Sequence, residues 1–141
     1  MKKEDYRKLA IERRNRLTPE ERENRDRKIA ISLMASESWK QAERLLIYCS
    51  YMSEVSTREL IAQAIRARKK VYCPRITDAA HKQMEFYMIH SIADLKEGFK
   101  GIPEPVTQEV YVTQDYSDSE KGTTLAILPE VAFDKECNRI G

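Results

Sequence analysis

The sequence predicts an α/β fold: a single domain over residues 1–141 in three layers, α/β/α, with a mostly parallel sheet and basic N-terminal helices packed on it. Three observations carry that expectation. Short apolar runs occur at Leu45–Tyr48, Val71–Cys73 and Leu125–Leu128, each with the composition of a strand buried on both faces. Between the first two, Leu60, Ile61, Ala64 and Ile65 fall at helical spacing. Strand, helix, strand in that order makes a βαβ unit, which implies parallel pairing through a right-handed crossover.

Taken in order, residues 2–17 read as a basic helix. Tyr6, Leu9, Ala10, Arg13 and Leu17 share one face, and Lys3, Arg7 and Arg14 form an adjoining stripe. On spacing alone such a stripe is more often a solvated face than a ligand site. Thr18 caps a second helix, with Pro19 in its first turn and Glu20 and Glu21 at the positive end of its dipole. That helix runs to about Ser36, turning Ile29, Ala30, Leu33 and Met34 inward and leaving a polar face laced with ion pairs. Trp39 and Ala42 lie in a helical turn leading to the first strand, which ends near Cys49.

The next helix is expected from Ser56 to about Ala67, with Ser56 and Glu59 as a capping box. The loop before it carries Tyr51, Met52 and Glu54. In open α/β sheets ligands bind at loops on the carboxyl ends of strands. Glu54 is therefore the first functional candidate, its alternative being a solvated loop carboxylate.

Lys69 and Lys70 precede the second strand, which Pro74 is expected to stop, placing Arg75 at its carboxyl end. Residues 77–83 form a polar loop. Met84, Phe86 and Met88 alternate with Glu85, Tyr87 and Ile89, the period of a strand with one wetter face. A helical turn is expected over Ser91–Lys96, ending at Gly98. Lys100 to Pro105 carries Pro103 and Pro105 and cannot be helix. It reads either as a connecting loop or as a ligand wall, with Gly101 permitting close approach. Residues 106–122, with their SDSEKG tract, read as irregular surface, and Pro129 stops the third apolar strand. There is no internal repeat and no domain linker.

Composition narrows the function classes. Lys and Arg number 25 against 23 Asp and Glu, for a net charge of +2, which does not point to nucleic acid or membrane as the main partner. The basic residues are uneven: residues 1–28 hold 11 Lys or Arg and 7 Asp or Glu. No apolar run is long enough to span a bilayer and the start lacks a signal-peptide pattern, so a cytoplasmic protein is expected. Cys49, Cys73 and Cys137 form no CxxC pair, which argues against a disulfide framework or zinc site and for buried packing of the first two. His81 and His90 are isolated.

Several segments together resemble the 5-formyltetrahydrofolate cyclo-ligase (methenyltetrahydrofolate synthetase) family. They are Lys3 with Arg7, the run Leu17 to Arg22, and Tyr48 to Thr57 with its EVST core. They continue with Lys70 to Arg75, Met84-Glu85-Phe86, Gly98 to Pro105, and Leu128 to Gly141 around AFDKECNRIG. Each is weak alone; their order across nearly the whole chain makes the match specific. The resemblance implies an ATP- and Mg2+-dependent conversion of 5-formyltetrahydrofolate to 5,10-methenyltetrahydrofolate with release of ADP and phosphate, by a monomer.

It also implies site residues. Lys3 and Arg7, one helical turn apart, look like a phosphate-binding pair, with Arg14 a further ATP-binding candidate. Arg139, Ile140 and Gly141 match the opening of the family's nucleotide-binding run, RxGxGxGYYD. Cys49 and Glu54 resemble substrate-contacting positions, a carboxylate suiting the N–H-rich edge of a reduced pterin. Met84 and Lys100, with the loop to Pro105, are expected to wall the folate pocket. Glu54, Lys3 and Arg139 are then expected around one shared cleft. No catalytic residue and no metal ligand is assigned.

The chain departs from the family pattern twice. It stops at Gly141, where the glycine-rich run has only begun, so the domain is expected to be incomplete at its C-terminus. Glu130 stands where the family usually has Pro-Gly after the strand. Two rivals remain: a module whose basic first helix binds RNA or another polyanion, and a relative that binds folate without using ATP.

Overall fold

The computed structural model describes residues 1–112 and 122–141. A four-stranded sheet in the order β3-β2-β1-β6 is formed by β1 (Ala42–Ile47), β2 (Lys70–Asp78), β3 (Gln83–Ile89) and β6 (Thr123–Ile127). β1 pairs in parallel with both β2 and β6, while β2 and β3 are antiparallel. Four helices accompany it: α1 (Lys3–Asn15), α2 (Pro19–Ala35), α3 (Glu37–Gln41) and α4 (Arg58–Arg66). The class is α/β, as the apolar runs require, and the crossover from β1 to β2 runs through α4.

Register explains the core. Leu45 lies opposite Val71 and Leu125, and Val71 opposite Ile89, so alternate residues of neighbouring strands point to one face. On that face Leu45, Ile47, Cys49, Val71, Cys73 and Ile89 pack with Ala30 of α2, Trp39 of α3, and Leu60, Ile61 and Ala64 of α4. The opposite face carries Arg44, Leu46 and Tyr72. Arg44, buried, donates to the Thr124 hydroxyl at 2.9 Å and to the Gly122 carbonyl. Tyr111 meets the Tyr72 ring edge-on at 5.0 Å between centroids.

Several boundaries differ from the expectation. β2 does not stop at Pro74 but continues to Asp78. The parallel register with β1 ends at Leu46 opposite Tyr72, so the proline ring falls beyond it, and β3 carries the strand onward. β3 is graded from end to end rather than from face to face: Met84 is 50% exposed while Tyr87, Met88 and Ile89 are all buried. The far end of the β2–β3 ribbon projects beyond the helices. β6 is half-exposed rather than fully buried, since among the described residues it pairs only with β1.

The turn after Ser91 is a short 3₁₀ helix, Ile92–Asp94, followed by β4 (Leu95–Glu97). β4 pairs antiparallel with β5 (Pro103–Pro105), and between them Lys100 and Gly101 both take left-handed backbone angles, φ 56 and φ 78. A small hairpin, β7 (Ala132–Phe133) and β8 (Arg139–Ile140), follows β6. Of the stretch expected to be irregular surface, residues 113–121 lie outside the described residues. Among the described residues no helix is long and apolar enough to cross a membrane.

Candidate functional site

The site is organised by the loop from Tyr48 to Thr57, which leaves the carboxyl end of β1. Thr57 is the residue that shapes it. Its side chain is buried, 1% exposed, donating from Oγ1 to the Tyr48 carbonyl at 2.8 Å and accepting from the Ser50 N–H at 3.1 Å. The Thr57 N–H in turn donates to Ser50 Oγ at 3.2 Å. Thr57, not Ser56, is thus the N-cap of α4, and it makes no side-chain cap bond because its hydroxyl already closes the loop. The expected capping box is absent: Glu59 accepts from the Gln63 amide instead. The Ser56 N–H goes to Asp26 of α2 at 3.2 Å.

At the tip, Tyr51 to Glu54 form a turn in which the Glu54 N–H donates to the Tyr51 carbonyl at 3.2 Å. Glu54 Oε1 accepts from the Tyr51 N–H at 2.8 Å. Met52 sits at the corner with φ 53 and is exposed. One carboxylate oxygen of Glu54 therefore holds its own loop, and among the described residues Oε2 accepts no hydrogen bond. The phenol of Tyr48 ties the same loop from beneath, donating to the Val55 carbonyl at 2.7 Å. Burial first, then the charge of Glu54 and that of Asp26, push its hydroxyl up to about 12.

α1 lies across this loop. Arg14 Nε donates to Ser53 Oγ at 2.9 Å. Arg7, two turns earlier, donates from Nε to the Gly141 carbonyl at 3.2 Å. An open cleft of about 640 Å3 results, in which Arg7, Arg14, Tyr51, Ser53 and Glu54 meet Ile102 from the β4–β5 hairpin. A second cleft, about 520 Å3, adjoins it between the start of α4 and that hairpin, reaching Cys49, Thr57 and Gly101. A third, about 480 Å3, lies on another face of α1, where Tyr6, Leu9 and Arg13 meet Phe133, Arg139 and Ile140.

The structure accordingly brings some of the sequence candidates together and separates others. Arg7, Arg14 and Glu54 share one cleft, and Gly141 touches it through Arg7. Arg139 and Ile140 line the cleft on the other face of α1, where Arg139 Nε lies 3.6 Å from Glu130 Oε1. Lys3 is exposed and lines neither, so the single cleft expected around Glu54, Lys3 and Arg139 is divided. Cys49 lines the second cleft with its thiol buried beside that of Cys73. The partner thiol and then burial push Cys73 well above the ordinary thiol range, so it stays neutral. Met84 lies at the projecting end of β3, and Lys100 turns its ammonium toward Phe99, 5.5 Å from the ring; neither is among the residues lining these clefts. The wall that the Lys100 loop provides is made by Gly101, Ile102 and Pro103.

Arg75, at the strand end suggested by Pro74, has a structural task. Its guanidinium stacks 3.7 Å over the Tyr87 ring and donates to the Pro105 and Thr107 carbonyls. Glu104 is a clamp that the spacing did not reveal. Its two oxygens accept from the Ile76 and Phe99 N–H groups at 2.8 and 3.3 Å, fastening the hairpin to β2. Ser53 and Arg22 were also missed as lining residues. A signal for Arg22 exists in hindsight: it lies one turn inside the Thr18 cap, close in sequence to the end of the helix that carries Arg14.

A family model described as the 5-formyltetrahydrofolate cyclo-ligase family matches residues 1–141. The chain is 29% identical over 132 residues to the 5-formyltetrahydrofolate cyclo-ligase of Escherichia coli K12, covering 92% of this chain and 69% of that protein. It is 30% identical over 104 residues to the probable 5-formyltetrahydrofolate cyclo-ligase of Schizosaccharomyces pombe, covering 73% of this chain but only 48% of the relative. The NMR structure of Aquifex aeolicus 5,10-methenyltetrahydrofolate synthetase superposes with a TM-score of 0.81 at 28% identity, over 100% of this chain and 67% of that one. The chain thus spans about half the length of the yeast relative and about two thirds of the other two.

Proposed function

The chain belongs to the 5-formyltetrahydrofolate cyclo-ligase family, and we propose that it takes part in the ATP-dependent closure of 5-formyltetrahydrofolate to 5,10-methenyltetrahydrofolate, releasing ADP and phosphate. The observation that carries this reading is the meeting of Arg7, Arg14 and Glu54 in one cleft at the carboxyl end of a central parallel strand. Two cations and a carboxylate with an unengaged oxygen suit two ligands of opposite need. The guanidiniums suit phosphoryl oxygens, and Glu54 suits the donor-rich edge of a reduced pterin.

In the reaction the formyl oxygen attacks the γ-phosphorus and ADP departs. The nitrogen at position 10 then attacks the activated formyl carbon, losing its proton as phosphate leaves and the five-membered ring closes. No covalent bond to the protein is needed. The work of the chain is alignment and charge neutralisation: Arg7 and Arg14 face the charge on the transferring group, while Glu54 fixes the pterin against it. The braced loop from Tyr48 to Thr57 suits that task, because its carboxylate is held by its own backbone before any ligand arrives.

Arg139, Ile140 and Gly141 belong in this reading to the nucleotide side, with Gly141 already beside Arg7. Magnesium is expected to accompany the nucleotide. Among the described residues no three His, Cys, Asp or Glu side chains converge as a metal site. The protein would act as a cytoplasmic monomer, with neither nucleic acid nor membrane as partner. The test is to mix protein, ATP, Mg2+ and 5-formyltetrahydrofolate and follow the absorbance of the methenyl product. Product that requires all components supports the reading; its absence defeats it.

A further inference from the structure

We propose that Arg22 is a third cation of the Arg7–Arg14 cleft, placed to hold a phosphoryl or carboxylate oxygen of the ligand. The proposal deepens the reading above and rests on it for the identity of the ligands.

Arg22 is fixed by the start of α2. The Thr18 hydroxyl accepts from the Glu21 N–H at 3.1 Å and the Thr18 carbonyl from the Arg22 N–H at 2.9 Å. Residues 16–18 alone separate α1 from α2, so this turn brings Arg22 to the cleft that Arg7 and Arg14 line. There its Nε is fully covered, yet among the described residues it has no hydrogen-bond acceptor.

Acceptors are not lacking nearby. Arg22 also borders a cleft between α2 and the start of α4 that includes Glu23, Asp26 and Glu59. Each of these carboxylates gives one oxygen to another donor, Glu23 to Arg27, Asp26 to the Ser56 N–H and Glu59 to the Gln63 amide, and among the described residues none of them accepts from Arg22 Nε. Leaving a covered guanidinium N–H unpaired forfeits its hydration with nothing in return, and folded proteins seldom tolerate it. A ligand anion in the cleft that Arg22 lines supplies an acceptor once the guanidinium turns to meet it, and it also relieves the mutual repulsion of three guanidiniums around one cleft. Planar guanidinium groups pair with phosphate and carboxylate oxygens in forked geometry, which a lysine cannot reproduce. The two sources of such an oxygen here are the phosphate chain of a nucleotide and the carboxylates of a folate.

The experiment compares the parent protein with Arg22→Met, Arg22→Lys and, as a surface control, Arg25→Met. Thermal unfolding is recorded alone and over titrations of sodium tripolyphosphate, ATP and 5-formyltetrahydrofolate. Without ligand, Arg22→Met is expected to unfold no earlier than the parent, since it removes a covered N–H that has no acceptor among the described residues. Its apparent affinity for one ligand class is expected to fall at least tenfold, with Arg22→Lys recovering only part and Arg25→Met matching the parent. Loss for tripolyphosphate and ATP together assigns the oxygen to phosphate; loss for 5-formyltetrahydrofolate alone assigns it to carboxylate. Affinities for all three within twofold of the parent overturn the proposal, as does early unfolding of Arg22→Met with its ligand affinities intact. If the parent makes no methenyl product but Arg22→Met still loses tripolyphosphate, the reaction is misassigned and Arg22 stands. If product forms and Arg22→Met keeps both substrate affinities, the reverse holds.

Discussion

Arg14 and Ser53, 39 residues apart in sequence, are joined by a 2.9 Å hydrogen bond from Nε to Oγ that fastens the first helix to the loop beyond β1. α1 buries no residue fully, and this bond and the Arg7 contact to Gly141 tie it across the sheet ends. Because both partners are partly buried, Ser53→Ala should lower stability by about 1.5–3 kcal/mol in urea unfolding, the range for a bond to a charged group. It should also weaken ATP binding by freeing Arg14. Unchanged stability and unchanged ATP affinity together would show that the bond does not organise the cleft.

Substitutions at the cleft should divide by ligand. Glu54→Ala should raise KM for 5-formyltetrahydrofolate at least tenfold, whereas Glu54→Gln, which keeps an acceptor for the Tyr51 N–H, should lose less. Arg7→Ala should raise KM for ATP. Lys3→Ala, at a residue that lines neither cleft, should have the smaller effect. Equal effects of all three alanine variants on both substrates would contradict the division.

Tyr48 makes an alkaline prediction. Its hydroxyl is held protonated up to about 12, while in the unfolded chain it ionises near the ordinary value of 10.0. Between those values the native state binds more protons than the unfolded one, so stability falls as pH rises. The contribution is complete below about pH 10 and is lost as pH climbs through about 12. The stability difference between parent and Tyr48→Phe should therefore shrink over that window. A difference that stays flat would mean that burial and the Glu54 and Asp26 charges do not hold this hydroxyl protonated.

Glu130 contacts Arg139 at 3.6 Å, with Arg139 more than half exposed. An exposed pair of this kind contributes less than about 1 kcal/mol to stability. Its carboxylate does compete for the arginine. Glu130→Gly should leave the unfolding midpoint nearly unchanged and raise ATP affinity about two- to fivefold, most visibly at low salt where the pair is least screened. Weaker ATP binding by the variant would show that Glu130 positions Arg139 for the nucleotide rather than withholding it.

Much of the architecture was legible because it rests on local chemistry. The apolar runs marked β1, β2 and β6, and the Thr18-Pro19 start of α2 stands where the cap demanded. What was not legible depended on which partner claimed a polar group. Ser56 and Glu59 have capping-box spacing, but a buried hydroxyl is satisfied first, and Thr57 had the strand end within reach. Pro74 would end a strand in the middle of a ladder, but here it falls beyond the parallel register with β1. In the candidate site, Arg7, Arg14 and Glu54 came from residue type and resemblance. Glu104, Ser53 and Arg22 act through contacts 28 or more residues away or through a helix turn, which no spacing encodes.

The central claim is that nucleotide and folate meet over the loop from Tyr51 to Glu54. The most direct measurement is amide chemical-shift mapping of the 15N-labelled protein, titrated separately with ATP and with 5-formyltetrahydrofolate. The account predicts that ATP moves the amides around Arg7, Arg14 and Ser53, that the folate moves those of Tyr51 to Glu54, and that the two sets adjoin. Saturable shifts for both ligands that leave residues 51–54 and the Arg7–Arg14 segment unmoved would contradict it.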